Sequence, residues 1–190
     1  MKKLVSILII ILLVAGLGVG AYFIFFNKQD EGLTQEEIDS MVGYTTFMDS
    51  NLYFDSDGIV IASEKDIIPD KPEVTGLDID YVVLGEKLPV SDDGILDSLL
   101  RISTYLATTS VTWNNQNEKL INIVDRIHFD TGGDIVLYVG DIIVEIGSDY
   151  HLEEKLVEMS DILPSLEGKS GTLHLENYSD TNTNHIYTFD

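Results

Sequence analysis

A chain of 190 residues with 33 Asp and Glu against 11 Lys and Arg has a formal net charge of −22. A surface that acidic repels phosphate backbones and anionic lipid, which excludes nucleic acid as a partner. The absence of cysteine excludes disulfides, thiol nucleophiles, thiolate metal sites and a lipoprotein anchor, while 44% hydrophobic residues set the chain apart from a disordered acidic tail.

Residues 4–26 (LVSILIIILLVAGLGVGAYFIFF) carry no charge and are long enough to cross a hydrocarbon layer of about 30 Å. Lys2 and Lys3 before them predict an amino terminus held in the cytoplasm and a domain on the far side of the membrane. A cleaved signal peptide, with Val19-Gly20-Ala21 as its small-residue site, is the alternative. Every acid lies at or beyond Asp30, so the part from Asn27 onward keeps nine Lys and Arg against 33 acids, a net of −24. Residues 27–50 read as an extracytoplasmic linker. Within it, Thr34-Gln-Glu-Glu37 is a capping box that opens a short helix with Ile38, Met41 and Val42 on one side.

Strand patterns begin after Gly43. Residues 45–48, 52–54 and 59–62, separated by Asp49-Ser-Asn51 and Asp55-Ser-Asp-Gly58, predict an antiparallel meander, and residues 81–84 a further strand. Ser91-Asp92-Asp93 then caps a helix whose Ile95, Leu99, Ile102 and Leu106 share a face. Residues 113–117 (WNNQN) are a polar loop, and residues 121–129 a long strand with a bulge near Asp125, turned back by Asp130-Thr-Gly-Gly133.

The densest signal follows. Two β-branched runs, 135–139 and 142–146, flank Gly140-Asp141, a pair suited to a two-residue primed turn, and so predict a β-hairpin. The period then changes: Leu152, Leu156, Met159 and Leu163 recur at helical spacing, with Ser148 or Asp149 as cap and Pro164 as terminator. In residues 171–176, Leu173 and Leu175 alternate with His174 and Glu176, and residues 185–189 form a last strand after the loop 179–184.

The run G-D-I-I-V-E-I-G (140–147), followed by L-E-E-K-L (152–156), then T-L-H-L (172–175) and a final strand, resembles the carboxy-terminal half of the extracytoplasmic β domain of the FtsQ/DivIB cell-division family. Asp55-Ser-Asp-Gly58 with Val60 is similar to that family's D-x-x-G-x-V hairpin, and residues 69–76 to its P-x-x-x-G loop. The resemblance covers residues 51–189. The family places a POTRA module between membrane and β domain, for which residues 27–50 leave no room.

Several motifs invite chemistry. Residues 53–64 place Asp55, Asp57, Gly58 and Glu64 at calcium-loop positions 3, 5, 6 and 12, but position 1 is Tyr53 and the flanks read as strands, so a hairpin turn is expected. Asp130-Thr-Gly132 matches the catalytic triplet of aspartic proteases. That chemistry needs two carboxylates sharing a proton, and the chain has one copy. His128, His151, His174 and His185 lack metal-ligand spacing along the sequence.

The expected fold class is α+β: a single transmembrane helix followed by an extracytoplasmic, mostly antiparallel β-sheet packed with two or three helices. The expected organisation is a cytoplasmic tail (1–3), the membrane span (4–26), the linker (27–50) and the β domain (51–190). No catalytic, cofactor or metal site, and no small-molecule substrate, is expected. The resemblance implies a non-enzymatic scaffold of the septal division complex that binds single-span proteins of the FtsB/DivIC and FtsL types. The implied partner site is the terminal strand, Asn184, His185, Ile186, Tyr187, Thr188 and Phe189, as a sheet edge open to strand addition; a strand paired on both sides within the fold is the alternative. The competing function is an anchored or secreted surface protein of another kind, a calcium-binding module or an enzyme.

Overall fold

The computed structural model describes residues 32–178 and 187–190. The apolar segment 4–26 and three of the six expected partner-site residues, Asn184, His185 and Ile186, lie outside them. The chain divides into two compact units, Met1–Asp39 and Ser40–Asp190. At the end of the first, the capping box forms: Thr34 N donates to Glu37 Oε2 at 2.9 Å, Glu37 N donates to Thr34 Oγ1 at 3.2 Å, and α1 (Gln35–Ser40) follows.

The second unit is built on a nine-stranded sheet of order β11-β10-β9-β8-β7-β4-β1-β2-β3, with a separate two-stranded hairpin β5-β6. In chain order, β1 (Gly43–Phe47), β2 (Ser50–Phe54) and β3 (Val60–Glu64) form the expected meander. The chain then crosses back over that meander, where Ile68 N donates to the hydroxyl of the buried Tyr53 at 2.7 Å, and enters β4 (Glu73–Thr75). Next come α2 (Asp93–Thr108), the hairpin β5 (Ser110–Trp113) and β6 (Gln116–Lys119), and α3 (Leu120–Ile123). They lead to β7 (Arg126–Phe129), β8 (Ile135–Val139) and β9 (Ile142–Gly147), then α4 (Leu152–Leu166), β10 (Gly171–His174) and β11 (Thr188–Phe189).

Three ladders are parallel, β1 with β4, β4 with β7 and β9 with β10. The last two need crossovers, which α2 and α4 supply. One sheet face therefore lies under helices. Val74, Ile127, Phe129, Leu137, Val144 and Leu173 are all buried in one cluster with Leu99, Ile102 and Leu106 of α2 and Leu156, Met159 and Leu163 of α4. The two helices also meet side by side. Arg101 donates from Nε and Nη2 to the two Glu153 oxygens, both at 2.7 Å, and the Tyr105 hydroxyl lies 3.0 Å from Ser160 Oγ.

These elements correct the expected fold class. Among the described residues the fold is α+β with a large mixed sheet and four helices, none of them long and apolar enough to cross a membrane. Turn residues announce hairpins, and hairpins are antiparallel; parallel ladders leave no local signature, so the mixed character was hidden. Local readings shift as well. Residues 81–84 form no strand, and the third strand of the parallel set comes from the expected loop 69–76. The long strand 121–129 splits into α3 and β7, because Leu120, Ile121 and Val124 are buried on a short helical turn. Pro164 lies inside α4, which runs on to the buried Leu166; core packing of that last turn outweighs the proline. Neither Ser148 nor Asp149 is the capping residue. The cap position is His151, in the left-handed region at φ 57° and edge-on to Tyr150, with ring centroids 4.0 Å apart.

Candidate functional site

Both turn motifs that invited chemistry are occupied by their own backbones. Asp55 Oδ1 accepts from Asp57 N at 3.0 Å and Ile59 N at 2.9 Å; Asp130 Oδ1 accepts from Gly132 N at 2.7 Å and Asp134 N at 2.9 Å. Each carboxylate closes the turn between two strands, as Asp does when its side chain stands in for a carbonyl. His128 lies 2.9 Å from Thr75 Oγ1 through Nδ1, on the neighbouring strand.

The features left over gather at one end of the sheet. There β11 is the terminal strand, paired with β10 in the register Leu173 with Phe189 and His174 with Thr188. Thr172 and Asp190 exchange both backbone hydrogen bonds, at 2.8 and 3.2 Å. In an antiparallel ladder alternate residues turn their amide groups to opposite sides, so Phe189, and Tyr187 before it, direct N–H and C=O away from β10. Phe189 packs on the core next to Leu173, Tyr187 is 45% exposed, and Thr188 faces the other side. The opposite edge of the sheet is engaged differently. Along β3, Val60 donates to the Glu86 carbonyl and accepts from Gly85 N, at 2.9 and 2.8 Å.

On the face away from the helices, the same strands assemble a charged cluster. The parallel β9-β10 register sets Glu145 beside His174, and Glu176 follows two residues on, projecting to the same side. His174 Nδ1 lies 2.9 Å from Glu145 Oε2 and 3.2 Å from Glu176 Oε1, and Nε2 lies 3.3 Å from Asp190 Oδ1. Burial pulls the imidazole pKa down, but the hydrogen bond to Asp190 and the charges of Glu176 and Glu145 outweigh it, leaving the group above its ordinary 6.5. Two glycines make room. A Cβ on Gly147, at φ 68°, would meet Glu176 Cβ at 2.7 Å, and one on Gly171 would collide with the Asp190 carbonyl.

In the sequence His174 and Glu176 simply alternate with Leu173 and Leu175, and the four histidines show no metal-ligand spacing. The parallel register that brings Glu145 alongside His174 across a helical crossover leaves no mark in the local sequence. No family model matches this chain, and neither a curated protein nor a solved structure matches it.

Proposed function

We propose that this protein is a non-catalytic binding module, working outside the cytoplasm, that takes a partner segment as an added strand along the outer edge of β11. The observation that carries the reading is the outward set of backbone groups at Tyr187 and Phe189 on a terminal strand. Backbone hydrogen bonds give such a complex its affinity, and side chains alternating along the edge set its selectivity. The likeness of residues 51–189 to the FtsQ/DivIB β domain supplies the partner class: single-span division proteins of the FtsB/DivIC and FtsL types. Asp55 and Asp130, the residues that favoured a calcium module or a protease, are committed to their own turns.

The test is capture of the extracytoplasmic segment of a DivIC-type protein by the full chain, compared with Tyr187→Pro. That change removes an outward N–H and leaves the Thr172–Asp190 hydrogen bonds intact. Loss of capture with an unchanged circular dichroism spectrum supports strand addition. A folded Tyr187→Pro chain that binds at wild-type affinity overturns it.

A further inference from the structure

We propose that Glu145, Glu176 and Nδ1 of His174 form a binding site for a divalent first-row metal ion, with zinc the best-fitting one, and that Asp190 orients the imidazole through Nε2. One ligand atom from each of Glu145, His174 and Glu176 lies within 4.8 Å of the other two. Tetrahedral zinc with bonds near 2.0–2.2 Å sets its ligands about 3.3–3.5 Å apart. The 2.9 and 3.2 Å separations from Nδ1 to the two carboxylates therefore need to widen by only a few tenths of an ångström. Asp190 on the far nitrogen completes the carboxylate–histidine–metal arrangement that fixes a ligating ring.

A second observation points the same way. Glu176 Oε2 is sealed from solvent and has no hydrogen-bond partner among the described residues. The Glu176 side chain as a whole is 32% exposed and its Oε1 is partnered by His174 and Asn177, so the uncompensated atom is Oε2 alone, and a cation held by this carboxylate offsets the cost of sealing it. One imidazole with two carboxylates suits zinc and its neighbours in the first transition row, whereas calcium and magnesium take oxygen-only shells. On binding, Nδ1 releases any proton it carries to solvent, and the fourth coordination position is left to water. The net charge of −22 concentrates cations around the whole surface, so the test separates this site from general attraction.

The site is independent of strand addition at β11, and the experiment involves no partner. The full chain, cleared of metal with a chelator, is titrated calorimetrically with zinc alone. One saturable site is expected, weakened at least tenfold in His174→Ala and in Glu176→Gln, unchanged in His128→Ala, and not displaced by calcium at equal concentration. Nuclear magnetic resonance of the wild-type chain supplies a readout that needs no variant to fold: zinc shifts the His174 ring signals and leaves those of His128 and His151 in place. The proposal is overturned by absence of a saturable site, by equal affinity in a folded His174→Ala or Glu176→Gln chain, by displacement with calcium, or by shifts confined to the other histidines.

Discussion

Lys155 is the place where a single substitution tests the packing logic most sharply. Its side chain is 2% exposed, one turn into α4, and Nζ donates to the carbonyls of Ile146 at 2.8 Å and Ser148 at 2.9 Å. The ammonium thus ties the start of the helix to the end of β9. Each bond from a charged donor contributes about 1.5–3 kcal/mol, so the gross loss in Lys155→Met is about 3–6 kcal/mol. Relief of ammonium burial opposes it, and a net destabilisation of about 3 kcal/mol is expected. For a unit of this size that lowers the melting temperature by roughly 6–12 °C. In urea the midpoint falls with no change in slope.

The pH dependence follows from the direction of the Lys155 shift. Burial lowers its pKa below the ordinary 10.5, against raising contributions from Asp134, Asp149 and Glu176. Between that depressed value and 10.5 the unfolded chain holds a proton the folded chain has released, so stability rises with pH there. Wild type should therefore gain on Lys155→Met as the pH climbs towards 10.5. A methionine variant as stable as wild type at pH 7 would mean that desolvation of the ammonium cancels its hydrogen bonds, and would refute the reasoning.

The Arg101–Glu153 fork is expected to matter less. Its partners are 33% and 60% exposed, so Arg101→Met should cost under about 1 kcal/mol at pH 7 and nearly nothing in 1 M salt, as read from thermal unfolding. The Arg101 hydrogen bond holds the Glu153 pKa below 4.5, so this contribution is present above pH 4.5 and disappears as the pH falls through the depressed value. In the β5-β6 hairpin, Asn114 and Asn115 both have positive φ, 51° and 60°, the geometry of a type I′ turn. Asn115→Gly should raise stability by about 0.5 kcal/mol, measured by urea denaturation; a loss of stability would show that the asparagine side chain holds the turn.

How far the fold was legible depended on whether the signal was local. The hairpin 135–146, the helix carrying Leu99, Ile102 and Leu106, and the capping box at Thr34 are all specified within a few residues, and all three form. The Asn114-Asn115 turn is equally local, but its signal, two adjacent residues that tolerate positive φ, lies inside the uniformly polar run Trp113 to Asn117, which reads as loop. β4 is hidden for another reason. Glu73-Val-Thr75 has a single buried residue, Val74, and becomes a strand because it has neighbours on both sides. The Glu145–His174–Glu176 cluster belongs to that second kind. Glu145 and His174 sit on ordinary alternating strands, Glu176 lies in the turn just past β10, and only the pairing of β9 with β10 makes them one group.

β4 has a consequence for how this sheet opens. It is three residues long, yet it alone joins the meander β1–β3 to the strands from β7 to β11, meeting β1 in a parallel register at Tyr44 with Glu73 and β7 over Glu73 to Thr75. The meander is zipped by antiparallel ladders and the other half by the antiparallel ladders β7-β8 and β8-β9 with the parallel β9-β10, while the seam between the halves is short. Such a sheet divides into two cooperative units of unequal protection, visible as two families of amide exchange rates that part at Val74. Strands β10 and β11, six places and more from β2 in the sheet order, can then loosen and re-form while the meander stays closed.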